Sequence, residues 1–155
     1  MQISRRAQAV TGSLTLAIDA KAKAMVAQGV DVIGFGVGEP DFNTPAHIVA
    51  AAKEAMDRGE TRYTPSSGTL ALRKAVCEKL QRRNGLSYTP SQVVISNGAK
   101  HALHNALCAI LEEGDEVLIV PPCWVSYPEM VKMAEGTPVI VSAGIEQDFK
   151  ITPEQ

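Results

Sequence analysis

The chain has 155 residues, 45% of them hydrophobic and 5% aromatic, with a formal net charge of -2. That balance excludes a disordered chain and argues for one folded domain with a real core. It offers no excess of Lys and Arg for nucleic acid or an anionic membrane surface, and no stretch approaches the ~20 apolar residues needed to cross a bilayer.

In chain order, the basic pair Arg5 and Arg6 is isolated and reads as solvated surface. Ser13 or Thr15 can cap a helix through Ala17, Ala22 and Ala27, which Gly29 ends. Lys21 and Lys23 interrupt its modest apolar run, so no export signal forms there. Val30 to Phe35 reads as a short strand entering the loop GFGVGEPDFNTP, where Pro40 and Pro45 exclude a regular ladder or helix interior. The same prolines prevent GFGVGEP from serving as a dinucleotide fingerprint, which needs a helix at once. Thr44 before Pro45 is a cap-then-first-turn signal for a helix through Met56, stopping near Gly59.

After YTPSSG, Thr69 opens a periodic helix carrying Leu70, Leu72, Ala75, Val76 and Leu80. Its basic end at Arg82 and Arg83 suits the negative pole of the helix dipole, and Asn84-Gly85 closes it. From Val93 the character changes. The β-branched runs VVIS, EVLIV and PVIVS alternate with helical segments from Ala99 to Leu111 and from Tyr127 to Ala134. This alternation predicts an α/β unit with a mainly parallel sheet and helices packed across it.

Cys77, Cys108 and Cys123 are odd in number and widely spaced, which fits neither a disulfide framework nor a zinc cluster. A cytoplasmic protein with reduced thiols is the expectation, and Cys123 is read as a buried small hydrophobe over a reactive thiol. His101 and His104 have helical spacing but no third ligand nearby, and His47 lies near a helix start. All three are read as structural or exposed, with no metal site.

The turn NGAK joins the run VVIS to the helix after it. Ligands of α/β sheets bind beyond the carboxyl ends of the strands, where helix-start amides point outward. Gly98 permits a left-handed backbone and a close ligand, and Ala99 and Lys100 offer first-turn amides to a phosphate. The alternative is a plain strand-to-helix turn with Lys100 in solvent. Taken alone the motif is neither a P-loop nor GxGxxG.

Four segments occur in register: GVGEPDFNTP from Gly36, RYTPSSGTLALRKAV from Arg62, ISNGAKHAL from Ile95 and PPCWVSYPEM from Pro121. Together they resemble the fold type I aminotransferases that use pyridoxal 5'-phosphate (class I/II), in particular the bacterial aspartate aminotransferase branch. The resemblance spans almost the whole chain. It implies an incomplete three-layer α/β sandwich of the cofactor-binding large domain. Residues 1–40 would form an amino-terminal arm and part of a small domain, and residues 41–155 the start of the large domain.

The resemblance also assigns roles. Gly98, Ala99 and Lys100 would bind the cofactor phosphate. Lys100 would also help bind the distal carboxylate of an acidic substrate, with a solvated lysine as the alternative. Trp124 would lie against the pyridine face of the cofactor, or else pack in the core. Gly38 would lie against the substrate carboxylate. Tyr63 would reach the cofactor phosphate of the neighbouring subunit, which implies a homodimer; by itself it reads as an ordinary turn-flanking aromatic. The opening segment around Leu14 to Leu16 would fold over the site on substrate closure.

Three elements of the family's chemistry do not occur here. These are the lysine that forms a Schiff base with the cofactor, the acid that pairs with the pyridine nitrogen, and the arginine that clamps the substrate carboxylate. Lys21, Lys23, Lys53, Lys74, Lys79 and Lys132 sit on helical segments and Lys150 in the polar end, so none replaces the first. No catalytic residue is therefore assigned, and this segment alone is expected to be inactive. In the family, strands that come later separate VVIS from EVLIV and PVIVS, and the ending ITPEQ reads as a chain cut short.

The expected function is the amino-terminal part of an aspartate aminotransferase with 2-oxoglutarate as acceptor, acting on amino-acid and 2-oxo-acid substrates. The alternatives are an aminotransferase for prephenate, aromatic or other amino acids, or a non-catalytic dimerisation or phosphate-binding module.

Overall fold

The computed structural model describes residues 2–36 and 38–155. Where composition suggests a single domain, the chain forms two compact units, Met1–Val37 with Gly98–Gln155, and Gly38–Asn97.

In the first unit, α1 (Arg5–Ala9) and α2 (Leu14–Ala27) are each opened by a serine. The Ser4 hydroxyl accepts from the Ala7 N–H, and the Ser13 hydroxyl from the Leu16 N–H, which satisfies amides that a helix start leaves without partners. Of the two caps expected for α2, Ser13 is the one used. Helix α5 (Gly98–Ile110) precedes strand β1 (Glu116–Ile119), helix α6 (Ser126–Met133) and strand β2 (Thr137–Ile140).

The two strands pair in parallel, Glu116 opposite Thr137 through Ile119 opposite Ile140. Parallel neighbours need a crossover, and α6 supplies it. Its inner face carries Met130 and Val131, which with Ile119, Ala134 and Ala143 form the buried core. Val131, 2% exposed, is its centre. Gly136 enters β2 so tightly that a Cβ there would stand 3.0 Å from Leu111 Cδ1 and 3.2 Å from Val131 Cγ1. An apolar cavity of about 310 Å3 lies between α5, β1 and α6, lined in part by Leu103, Leu107, Val117 and Tyr127.

In the second unit, α3 (Ala46–Asp57) precedes α4 (Leu70–Asn84). Pro45, not Thr44, holds the cap position of α3 and makes no side-chain cap bond. Its carbonyl instead accepts from Ile48 and Val49, since proline's fixed φ already suits a helix entry. Thr69 caps α4 through the Leu72 N–H, and Gly85 ends it at φ +68°. Arg73 ties the unit together, donating to the Gly68 carbonyl at 3.2 Å and to the Pro90 carbonyl at 2.8 Å. Gly68 has φ +94°, and a Cβ there would lie 2.5 Å from Ile95 Cγ1, so glycine is required on both counts.

Two expected strands are not formed. Residues 30–35 and 93–96 lie outside regular ladders among the described residues. The Ile95 N–H donates to the Ser67 carbonyl, a single bond and not a ladder. The reason is physical: β-branched residues favour extended backbone, but a strand exists only where a neighbour completes its hydrogen bonds. The mixed helix-and-strand architecture is that of an α/β fold portion, and it leaves Leu118 64% and Ile140 53% exposed on the paired strands.

Candidate functional site

Helix α5 begins at Gly98, which has φ +83° and open space where a Cβ would stand. That conformation is costly for any residue with a Cβ, so the turn selects glycine for its backbone and leaves room beside it. Gly98, Ala99 and Lys100 are exposed and form the first turn of a 13-residue helix with no acidic residue in that turn. The positive end of the helix dipole therefore carries no acidic residue of its own turn, and such an end is suited to an anion.

Trp124 follows β1 after the cis Pro121–Pro122 bond. Its indole is 47% exposed, so it is not the core residue that the alternative reading proposed. The Lys100 ammonium sits 5.6 Å from the ring centroid, within cation–π range. Two predicted site residues, 24 positions apart in sequence, are therefore neighbours in the same unit. A dianion beside a flat aromatic ring is the chemistry this donor set fits: amides and an ammonium for the charge, an indole for the ring.

Lys100 also lines a pocket of about 480 Å3 with residues of the 10–14 link, Val125, Ser126, Glu129, Met130 and Met133. Across it, Glu129 Oε2 accepts from the Thr11 N–H at 2.8 Å, and Glu129 Oε1 pairs with Lys132 Nζ at 2.9 Å. These bonds to Lys132 and Thr11 hold the Glu129 carboxyl below its ordinary pKa. Sequence reasoning gave Thr11 and Glu129 no role. A bond between residues 118 apart leaves no local signal.

Gly38 and Tyr63 lie in the other unit. A Cβ at Gly38 would meet nothing within 4 Å, so no protein neighbour demands glycine there. Tyr63 is fully exposed. His104 and Cys108 face each other along α5, Nε2 to Sγ 3.5 Å, and Cys77, Cys108 and Cys123 are free thiols. Cys123 is half-buried, short of the burial expected from sequence. Among the described residues no group of three or more His, Cys, Asp or Glu is placed to hold a metal, and no helix is long and apolar enough to cross a membrane.

A family model described as aminotransferase class I and II matches residues 30–155. An aspartate aminotransferase of Bacillus sp. (strain YM-2) is 54% identical over 153 residues, covering 99% of this chain and 39% of the relative. An aspartate/prephenate aminotransferase of Cereibacter sphaeroides is 56% identical over 146 residues, covering 94% of this chain and 36% of the relative. Among solved structures, an aspartate aminotransferase from Thermus thermophilus with maleate superposes with a TM-score of 0.95 at 47% identity, covering 99% of this chain and 40% of that one. The chain spans about two fifths of the length of these relatives.

Proposed function

The chain belongs to the aminotransferase class I and II family, and from that premise we propose that it is the amino-terminal part of a pyridoxal-phosphate aminotransferase that moves an amino group between aspartate and a 2-oxo acid such as 2-oxoglutarate. One observation carries this reading. Gly98 opens α5 at positive φ while Lys100 stands over the Trp124 ring, so a helix start with glycine at its first position lies beside an aromatic ring, which supports an anion cup next to a ring-stacking face.

In the proposed site the amides of Gly98, Ala99 and Lys100 hold the cofactor phosphate, aided by the helix dipole. Trp124 keeps the cofactor ring in register by dispersion. When bound, the cofactor supplies an electron-withdrawing ring that stabilises charge at the substrate Cα. Lys100 attracts the distal carboxylate of an acidic substrate, a role in keeping with the four-carbon dicarboxylate maleate named with the Thermus thermophilus structure. Gly38 leaves room for the substrate's other carboxylate, and the open space at its Cβ position supports that role. The exposure of Tyr63 supports its service to a second subunit in a homodimer. Residues 1–40 serve as arm and small-domain segment, and 41–155 as the start of the large domain. The free thiols support a reducing, cytoplasmic setting.

A second reading has its own support: relatives from Cereibacter sphaeroides and Thermus thermophilus, 56% and 47% identical, are named aspartate/prephenate aminotransferases. Prephenate shares the dicarboxylate character that Lys100 would recognise.

The test has two arms. Purified chain is mixed with pyridoxal phosphate, reduced with borohydride and mapped by mass spectrometry. No stoichiometric lysine adduct and no turnover are expected, and a specific adduct with aspartate turnover would show that the segment holds its own covalent lysine. Residues 1–155 are then grafted in place of the matching part of the Bacillus subtilis aspartate aminotransferase, 53% identical over 155 residues. Transamination of aspartate by the graft is expected. A soluble dimeric graft that binds pyridoxal phosphate without turnover would favour a non-catalytic module.

A further inference from the structure

The link between α1 and α2 is fastened to α6 by the Glu129 side chain. Thr11 stands outside any helix, and its N–H is taken by Glu129 Oε2 at 2.8 Å. The other carboxylate oxygen is held by Lys132 at 2.9 Å, and the Glu129 side chain is only 21% exposed. A main-chain amide bonded to an ionised and partly sheltered carboxylate is a charge-assisted bond, stronger than a neutral one. The neighbouring tie is weaker: Arg6 and Glu135 are 3.6 Å apart and both more than half exposed, and such surface pairs contribute little.

Immediately beyond Thr11, Ser13 caps α2. Val10, Ser13 and Leu14 line one side of the pocket of about 480 Å3 whose other walls include Lys100, Ser126 and Met130. Whatever fixes Thr11 therefore fixes the wall that shares this pocket with Lys100. We propose that Glu129 is a positioning residue, its carboxylate latching residues 10–13 onto α6 and so setting the aperture of the pocket at Lys100.

The latch stands on geometry; only its consequence for substrate rests on the functional reading above. Amide hydrogen exchange on the full chain reads the latch directly. Glu129→Ala removes the acceptor, and exchange in the peptide spanning residues 10–14 should accelerate about tenfold or more, the scale of a lost bond to a charged group. Glu129→Gln keeps an acceptor oxygen and should restore most of the protection. Thr11→Pro removes the same bond from the exposed donor side, and exchange at residues 12–14 reports it even if the Glu129 variants fold poorly. Peptides of β1 and β2 should not change.

In the active graft, Glu129→Ala should raise KM for aspartate several-fold with kcat nearly unchanged, and Glu129→Gln should recover it. Unaltered exchange at 10–14 in both Glu129→Ala and Thr11→Pro, or acceleration shared equally with β1 and β2, overturns the latch. If exchange responds while every graft is inactive, the latch stands and the functional reading fails. An active graft whose KM ignores Glu129→Ala removes the effect on the pocket.

Discussion

The cup at the start of α5 is best tested by putting one methyl group on two glycines. Gly98 and Gly114 have φ of +83° and +99°, and a Cβ at either would meet nothing within 4 Å. Alanine at each should therefore cost only the left-handed backbone, about 1–2 kcal/mol. For a chain of this size that lowers Tm by roughly 2–4 °C per kcal/mol. Gly98, unlike Gly114, opens a helix whose first-turn amides are proposed to face a phosphate. Helix-terminus interactions with an anion reach about 2 kcal/mol in partly sheltered geometry, and about 1.4 kcal/mol is a factor of ten. In the active graft, Gly98→Ala should therefore raise the Kd for pyridoxal phosphate about tenfold or more. It should leave the affinity for pyridoxal, which has no phosphate, nearly unchanged, and Gly114→Ala should spare both. Fluorescence titration gives the affinities and a thermal melt the shared destabilisation. Equal losses of pyridoxal phosphate binding in the two variants, or equal losses for the two ligands in Gly98→Ala, would refute the cup.

Three further outcomes are expected. Lys100→Ala in the graft should reduce kcat/KM for aspartate more than for apolar amino acids, and parallel losses would take the ammonium out of substrate recognition. The Glu129 carboxyl titrates below its ordinary value near 4.5 because of Lys132 and the Thr11 amide; Lys100 is the other charged side chain lining the same pocket. A lowered folded-state pKa gives stability that is full above the unfolded value and lost as pH falls through the folded one. Exchange at residues 10–14 should thus be slow at pH 7 and accelerate below about pH 4 relative to intrinsic rates; the Glu129→Gln variant should lack that acid transition. Gly136→Ala should cost about 1–3 kcal/mol by overpacking against Leu111 and Val131, and an unchanged urea midpoint would show that those side chains yield freely.

The sequence alone determined the elements whose causes are local. Ser13 and Thr69 supply hydroxyls to amides three residues on, and Gly85 supplies the positive φ that ends α4. Such features need no distant partner, so they were legible. The α/β character followed from β-branched runs alternating with helical segments, and the family resemblance from four motifs in register. Tertiary structure decided what depends on a neighbour. EVLI and TPVI became strands because each completes the other's ladder, whereas VVIS, with the same β-branched character, has no ladder partner among the described residues. The approach of Lys100 to Trp124 and the bond from Thr11 to Glu129 join residues far apart in the chain. Periodicity carries no information about such pairs, because it reports which face of an element is apolar and not which distant residue that face meets.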